Sequence, residues 1–272
     1  MKDLSIIIVH FKQHEETNRL LDHLIEKTKL PSSAEILVVL NSSYQGNSIS
    51  SNSIKFLKPG KNLGFGAGIN YGWEYAKGEN LLILNPDIIP EKNSIVDMLQ
   101  FINSGLYKNI GILAPRLMYF DGSRQHSVRR FYRWFDLFFS RLSLLVKSNP
   151  YFYHQHLMSD IDISKPIEVD WAVGACLMLS RKFITSQPYI FDPRFFLYFE
   201  DVELCTRCWR SGFKVVYQPQ IIFHHFHHRE SKNIFSYSGF QHIFSGLKYF
   251  IKYRGLYHRG ESCSTVTEAG TD

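Results

Sequence analysis

The sequence has few cysteines and no long uninterrupted run of apolar residues. Its four cysteines are too few for a disulfide framework in 272 residues, so we expect a reduced, cytoplasmic protein. Asp136 and Arg141 interrupt the best candidate for a membrane span, which requires roughly 18 apolar residues. The N-terminus begins with a short apolar run typical of a buried strand, and it shows no export signal. These absences predict a soluble or peripheral protein.

Acidic residues are absent between Lys232 and Arg259, in a chain whose formal net charge is +6. This segment combines lysine and arginine with many aromatic residues, which suits an anionic membrane surface. Nucleic acid attracts the same charge, but no motif for recognising DNA or RNA accompanies it. We therefore expect contact with the cytoplasmic face of the cell membrane and none with nucleic acid.

The order of the predicted elements favours an α/β fold with a mostly parallel central sheet, because short apolar runs alternate with helical patterns as in βαβ units. Helices are predicted from the glycine-rich run at residues 62–70 to about Lys77, across an aromatic basic stretch to about Lys147, and over Asp201–Ser211. We divide the chain into a main domain (1–231), a basic aromatic helical extension (232–260) and a disordered tail (261–272). The predicted strands are Leu4–His10, Glu35–Leu40, Ile54–Leu57, Asn80–Leu84, Ile110–Pro115, Gly174–Ser180, Phe195–Phe199 and Phe213–Tyr217.

The glycine-rich run, Asn62–Asn70, opens a predicted helix. Its glycines permit close approach of the backbone and leave helix N–H groups available to an anion. The spacing differs from the GxGxxG of dinucleotide-binding proteins, and the run lies too late in the chain for the first-strand position of that motif. By itself it indicates an anion site without identifying the anion.

Two aspartates lie where chemistry is expected, although each also has an ordinary structural explanation. Asp87 follows an apolar strand at the carboxyl end, where open α/β sheets bind ligands. It either holds Mg²⁺ or Mn²⁺ against a diphosphate or belongs to a simple Asn-Pro-Asp turn. Asp201 follows an aromatic run, and it either acts as a general base of raised pKa or caps a helix.

Four histidines, at positions 224, 225, 227 and 228, follow a predicted strand. Their close spacing cannot place all four on one metal ion, so we expect one ligand among them. The single CxxC pair, Cys205 and Cys208, has no second pair to complete a zinc site.

Three stretches in this order, Asn62–Asn70, Leu84–Asp87 and Phe195–Arg207, resemble glycosyltransferase family 2, and specifically its O-antigen rhamnosyltransferase branch. The resemblance also includes the stretch Val169–Phe183, and it extends from Leu4 to about Tyr257. It implies a GT-A fold with a Rossmann-like half that binds the nucleotide, and transfer of a sugar by a single displacement that inverts the anomeric carbon.

The resemblance also assigns roles to particular residues. It makes Asp201 the catalytic base with Glu200 supporting it. It makes Asp87 a ligand of a divalent metal, Mn²⁺ or Mg²⁺, together with a histidine six residues after Pro219, which is His225, with His224 as the alternative. The residues expected to bind the nucleotide sugar are Asn41, Asn62, Gly64, Gly66, Asn70, Asn85, Asp87, Trp171 and Gly174.

The sequence departs from the family pattern at two positions. Leu40 stands where the family pattern Val-Asp-Asn-x-Ser has an acid that helps hold the nucleoside, and Asn85 replaces the first acid of the DxD motif. Recognition of the base or ribose then depends on Asn41 or on backbone groups. The asparagine form of the DxD motif is usual in the rhamnosyltransferase branch.

The leading hypothesis is transfer of L-rhamnose from dTDP-L-rhamnose to a polyprenyl-diphosphate-linked glycan in the synthesis of O-antigen or another surface polysaccharide. Arg129 and Arg130 lie in an acid-free stretch, and either they bind the diphosphate of this acceptor or they occupy a solvated helix face. A UDP-hexose donor stays open. The alternatives from other classes are a non-catalytic membrane-associated assembly protein and a nucleotidyltransferase, whose usual glycine-rich loop after the first strand is missing here.

Overall fold

The computed structural model describes residues 2–46, 53–131, 155–226 and 237–253, which form an α/β fold. The helices are α1 (His14–Glu26), α2 (Phe65–Trp73), α3 (Ser94–Asn103), α4 (Arg181–Thr185), α5 (Glu200–Arg210) and α6 (Tyr237–Tyr253). The strands are β1 (Lys2–His10), β2 (Glu35–Leu40), β3 (Ile54–Leu57), β4 (Gly78–Leu84), β5 (Ile88–Pro90), β6 (Ile110–Met118), β7 (Val128–Arg129), β8 (Ile167–Glu168), β9 (Trp171–Ala172), β10 (Cys176–Ser180) and β11 (Lys214–His225).

The central sheet has the strand order β3-β2-β1-β4-β10-β6-β11-β5, with β8 also pairing with β11. Strands β3, β2, β1 and β4 are mutually parallel, and so are β6 and β11. Strand β10 is antiparallel to both β4 and β6, so β4 and β6 run in the same direction. The carboxyl ends of β1, β2, β4, β6 and β11 therefore meet at one edge of the sheet. Strands β7 and β9 form a separate two-stranded ribbon.

Alternate residues of the central strands face two apolar layers, because successive side chains of a strand point to opposite faces. Ile7, Val9 and Ile83 face the layer that contains α2, α5 and α6. Ile6 and Ile8 face the layer that contains α1 and α3. The central strands are buried on both faces, which is typical of α/β proteins.

Helix α5 has the charge pattern expected of a stable helix. Glu200, Asp201 and Glu203 lie in its first turn, and Arg207 and Arg210 lie in its last turn. Acids near the N-terminus and bases near the C-terminus interact favourably with the helix dipole. The sequence of α5 therefore supports the helix while placing carboxylates at its first turn.

The mostly parallel sheet and the C-terminal helix are confirmed, but one predicted strand is wrong. Residues 192–199 form a series of turns, which we call the strap, and Tyr198 and Phe199 have φ values of 67° and 66°. The strap pairs with no strand among the described residues; instead Phe195 and Phe199 each insert into the core. The apolar composition of this segment correctly indicated burial. Its aromatic side chains pack into the core, however, and within the described residues the segment does not pair as a strand.

Other elements also differ from those expected, in their boundaries or in their type. Helix α2 ends at Trp73 rather than near Lys77, and β11 continues from Lys214 to His225. Residues 128–129 form β7 rather than helix. The amphipathic helix predicted to reach Lys147 and the tail at 261–272 lie outside the described residues.

Helix α6 packs on α5 and the strap through polar contacts. Tyr249 is 1% exposed, and its hydroxyl hydrogen-bonds Thr206 at 2.7 Å. Ser245 donates to the carbonyl of Leu197 at 2.8 Å. Within the described ranges, no helix is both long enough and apolar enough to cross a bilayer.

Candidate functional site

The predicted site residues lie at the edge where the parallel strands end. Asn41 follows β2, Asp87 follows β4, and His225 ends β11. The backbone joins two of these positions, because the amide of Phe226 donates to the carbonyl of Asp87 at 2.8 Å. The sheet topology thus gathers side chains that are up to 184 positions apart in the sequence, from 41 to 225.

Asn41 holds the glycine-rich loop in place. Its Nδ2 donates to the carbonyl of Gly64 at 2.8 Å, and its Oδ1 accepts from the amide of Leu63 at 3.3 Å. Gly64 has a φ of 79°, and a Cβ there would lie 2.9 Å from a ring carbon of Phe196. Both the backbone conformation and the close contact require glycine. Asn62 Oδ1 accepts from the Gly64 amide at 2.9 Å and completes the turn into α2.

A cavity of about 650 Å³ opens beside Asn41 at the ends of β2 and β3. Tyr44 and Phe56 form one aromatic wall, with ring centroids 5.2 Å apart. Aromatic faces and lysines at a strand end suit a base and its phosphates. The lining residues are Leu40, Asn41, Ser42, Ser43, Tyr44, Phe56, Lys58, Gly60 and Lys61.

Asn70 ties α2 to the segment that leads into the strap. Its Oδ1 accepts from the amides of Ile190 and Phe191 at 3.1 and 2.9 Å, and its Nδ2 donates to the Phe191 carbonyl at 2.6 Å. Gly66 packs against the same residue, since a Cβ there would lie 3.0 Å from Phe191 Cβ. These two residues therefore position the loop that precedes α5.

Asp87 and His225 come together as the family resemblance predicted. His225 Nε2 lies 3.2 Å from Asp87 Oδ2, and His225 is 4% exposed. His225 Nδ1 lies 2.7 Å from Gln125 Oε1, so the Nδ1 proton donates to that oxygen. Nε2 then faces the carboxylate oxygen, so these two atoms form a pair of ligands suited to a shared cation. His224 instead contacts Glu91 at 3.4 Å.

The donor set around Asp87 fits a divalent metal that also binds a diphosphate. It offers one carboxylate and one imidazole, and Asn85 Oδ1 nearby in sequence is buried without a hydrogen-bond partner among the described residues. Carboxylate and amide oxygens suit Mn²⁺ and Mg²⁺, the imidazole nitrogen suits Mn²⁺ better than Mg²⁺, and either ion leaves positions for phosphate oxygens. No group of three or more His, Cys, Asp or Glu side chains with metal-site geometry occurs in the described part of the chain.

Asp201 is held by two backbone amides at the start of α5. Gly174 N donates to its Oδ2 at 3.1 Å, and Val202 N donates to its Oδ1 at 2.8 Å. Gly174 leaves room for this contact, because a Cβ there would lie 3.3 Å from Asp201 Cβ. The next residue, Ala175, accepts from the amide of Asn85 at 2.9 Å. One short backbone segment thus connects the two acidic motifs.

Burial raises the pKa values of both carboxyl groups at the start of α5. For Glu200, burial and then the neighbouring Asp201 charge raise the pKa to about 8. For Asp201, burial raises the pKa, while the two backbone hydrogen bonds and the charge of Arg129 oppose the rise. Glu200 is therefore neutral near pH 7, and Asp201 has a higher proton affinity than an ordinary aspartate, as a general base requires.

The two arginines predicted to bind a diphosphate differ in their surroundings. Arg130 is already paired, with Nη1 2.8 Å from Asp160 Oδ1 and 2.7 Å from the Gln155 carbonyl. Arg129 stacks on Trp171 at 5.1 Å, and its Nε has no hydrogen-bond partner among the described residues. Trp171 is 4% exposed. Its ring packs against the Arg129 guanidinium and its Nε1 donates to the Arg130 carbonyl, so this one residue positions both arginines.

Several candidate residues were not identified from the sequence. Tyr44, Phe56 and Lys58 line the cavity, and Gln125 orients His225. Tyr44 and Lys58 follow strands β2 and β3 as Asp87 follows β4, so the rule that selected Asp87 would also have selected them. Gln125 had no such signal, because its contact with His225 spans 100 positions.

A sequence model described as Glycosyl transferase family 2 matches residues 5–161, more than half of the chain. The hexosyltransferase Agl10 of low-salt glycan biosynthesis in Haloferax volcanii is 29% identical over 221 residues, which are 79% of this chain and 64% of Agl10. Rhamnosyltransferase WbbL of Escherichia coli is 26% identical over 206 residues, 72% of this chain and 73% of WbbL. N-acetylglucosaminyl-diphospho-decaprenol L-rhamnosyltransferase of Mycobacterium tuberculosis is 26% identical over 258 residues, 88% of this chain and 81% of the relative. The chain thus spans less than two thirds of the length of Agl10.

Two solved structures share the fold at low sequence identity. GalNAc-T7, solved with UDP, GalNAc and Mn²⁺, aligns with a TM-score of 0.65 and 15% identity over 92% of this chain and 48% of its own. Mannosyltransferase PcManGT from Pyrobaculum calidifontis, solved with GDP-Man and Mn²⁺, aligns with a TM-score of 0.59 and 12% identity over 92% of this chain and 64% of its own. The expected GT-A fold is confirmed.

Proposed function

Because the chain belongs to glycosyltransferase family 2, we propose that it transfers a sugar from a nucleotide donor to an acceptor hydroxyl with inversion at the anomeric carbon. The observation that carries this proposal is the placement of Asp201. Its carboxylate is fixed by two amides and has a raised pKa. The segment that fixes it also contacts Asn85, two residues before Asp87. A base and a metal-binding acid on one short segment suit a single displacement.

In the proposed reaction, Asp201 accepts the proton of the acceptor hydroxyl. The acceptor oxygen attacks the anomeric carbon and forms the new C–O bond, while the bond from that carbon to the phosphate oxygen breaks on the opposite face. The nucleoside diphosphate leaves, and Asp201 later releases its proton to solvent. Asp87 and His225 would hold a divalent metal, which when bound neutralises charge on the departing diphosphate.

The proposed donor is dTDP-L-rhamnose, and the proposed acceptor is a polyprenyl-diphosphate-linked glycan of a surface polysaccharide such as O-antigen. The names of WbbL and of the mycobacterial relative support rhamnose, and the name of the latter supports a lipid-linked acceptor. The cavity beside Asn41, with Tyr44 and Phe56, would accept the base. Arg129 would bind acceptor phosphate beside Asp201. The proposed site of action is the cytoplasmic membrane surface.

Incubation with a panel of nucleotide sugars and lipid-linked acceptors tests this function. We expect transfer from dTDP-L-rhamnose, with loss of activity in EDTA and recovery with Mn²⁺ or Mg²⁺. Gln125→Ala should weaken Mn²⁺ binding in the presence of dTDP by about 10–100-fold, because the residue orients a ligand, while Gln125→Glu keeps the acceptor oxygen and serves as the control. Titration calorimetry measures this affinity. Neither transfer nor donor hydrolysis with any donor would instead support a non-catalytic assembly protein.

The pH dependence of kcat/KM tests the environment of Asp201. Because only the ionised base accepts a proton, activity should fall as pH decreases through a pKa higher than that of an ordinary aspartate. The charge of Arg129 lowers this pKa, so Arg129→Gln should move the acid limb to higher pH, whereas Arg129→Lys should leave it near its original position. An acid limb that does not move in Arg129→Gln would contradict the assignment.

A further inference from the structure

One face of helix α6 packs against the rest of the protein, and the opposite face is exposed to solvent. On the inner face, Lys252 Nζ lies 2.8 Å from Asp192 Oδ2 and also binds Glu203. Tyr253 donates to Glu203 Oε1 at 2.9 Å. Ser245 and Tyr249 are buried as well, so this whole face packs against α5 and the strap.

The outer face carries a row of exposed apolar side chains, here called the α6 row. They lie within an arc of roughly 100°, because successive helix residues are rotated by about 100°, and this arc faces away from the bonded side. Such an apolar stripe normally points into a core. The exposed fractions are 43% for Ile243, 57% for Phe244, 53% for Leu247 and 78% for Ile251.

The charges around the α6 row favour a lipid surface over a protein partner. No acid occurs between Lys232 and Arg259, and Lys248 borders the row. Apolar side chains flanked by lysine and arginine suit the boundary between headgroups and acyl chains. Four side chains also offer much less area than the roughly 800 Å² per partner of a stable protein interface, which argues against a second copy.

We propose that the α6 row inserts into the membrane interface and docks the protein on the bilayer. This inference rests on the proposed lipid-linked acceptor. It narrows the expectation that the basic and aromatic residues of 232–260 contact the membrane, because Lys252 is bonded inside the protein. The aromatic ring of Phe199 lies 5.7 Å from that of Tyr249 and 5.1 Å from that of His242. Since Phe199 immediately precedes Glu200 and Asp201, docking through α6 brings the proposed base close to the bilayer.

Co-sedimentation with vesicles tests the α6 row. The variant Leu247→Asn/Ile251→Asn should bind vesicles of phosphatidylcholine with 30% phosphatidylglycerol at least tenfold more weakly than the unmodified protein. The matched control is Ile25→Asn/Leu106→Asn, which removes two apolar side chains that are 41% and 67% exposed on other elements. Its binding should not change. Binding should also persist in 0.5 M NaCl, because burial of apolar area is not screened by salt.

Two results would overturn the proposal. One is equal vesicle binding by the two double variants. The other is dimerisation of the unmodified protein, seen by analytical ultracentrifugation and lost in Leu247→Asn/Ile251→Asn, since the row would then be a protein interface. Circular dichroism and thermal unfolding check that both variants fold.

Turnover separates this inference from the proposed function. Leu247→Asn/Ile251→Asn should lose at least tenfold in rate with an acceptor embedded in vesicles, yet keep its rate with a short-chain, water-soluble acceptor. Equal losses with both acceptors would contradict a docking role. If the unmodified protein binds vesicles through the row but transfers no sugar to either acceptor, the proposed function fails while docking stands.

Discussion

Asp201→Asn is expected to reduce kcat by about 10²–10⁴-fold while leaving the Kd for the donor within about twofold, the range typical of losing a general base. The amide side chain occupies the same space and its oxygen still accepts one backbone hydrogen bond, but it cannot take a proton from the acceptor. The proposed donor contacts lie elsewhere, beside Asn41 and Asp87. Steady-state kinetics and calorimetry with the donor measure the two quantities.

Glu200→Gln is the matched control for this variant. Burial raises the pKa of Glu200 to about 8, so its side chain is neutral near pH 7 and glutamine reproduces both its shape and its charge. We expect Glu200→Gln to retain kcat within about fivefold, well below the effect of losing a base. A near-normal rate in Asp201→Asn, or a larger loss in Glu200→Gln, would contradict the assignment of Asp201 as the base.

The Rossmann-like half could be predicted closely because its signals are local. Strands Glu35–Leu40 and Ile54–Leu57 have the predicted boundaries, since each is a short apolar run bounded by polar residues. Asp87 was identified because the apolar run before it stops abruptly at the carboxyl end. Because each of these strands can be recognised from its own residues, the sheet edge that binds ligands can be predicted without knowing any tertiary contact.

The second half could not be predicted to the same extent, because its contacts are remote in sequence. Strand β10 inserts antiparallel between β4 and β6, and nothing in Cys176–Ser180 specifies those neighbours. The strap resembles a strand by composition, yet Asp192 and Arg194 fold it into turns. Successive side chains of β11 point to opposite faces, so the register of this strand decides whether His224 or His225 contacts Asp87. The spacing of the motif predicted His225, and the contact itself is visible only in the folded chain.

The composition of the C-terminal segment does not reveal which of its side chains face outward. Its basic and aromatic residues predicted a membrane contact, but Lys252 points inward to two buried carboxylates. Asp192 is 1% exposed and Glu203 is fully buried. Buried carboxylates require cationic partners, so the position of Lys252 follows from acids that are 49 and 60 residues away. No pattern within the segment itself distinguishes Lys252 from Lys248.

Lys252→Met should lower the free energy of unfolding by about 3 kcal/mol, the lower end of the range for breaking a buried ion pair. Methionine fills the same volume but leaves Asp192 and Glu203 without their shared cation. The loss stays at the lower end because each carboxylate keeps an arginine, Arg194 for Asp192 and Arg207 for Glu203. Urea unfolding followed by circular dichroism measures the change.

Lys248→Met is the control on the same helix, because Lys248 is exposed and its one hydrogen bond within the described residues goes to the carbonyl of Arg194 at 2.9 Å. Its cost should stay below about 1 kcal/mol, as for exposed polar contacts.

Burial works against ionisation of Asp192, but the hydrogen bonds from Arg194 and Lys252 outweigh it and lower the pKa of Asp192 far below its usual value. This contribution to stability is therefore present above the ordinary pKa of aspartate and lost as pH falls below it. Lys252→Met should reduce that acid sensitivity, and equal unfolding energies for the two lysine variants would show that the buried carboxylates do not depend on Lys252.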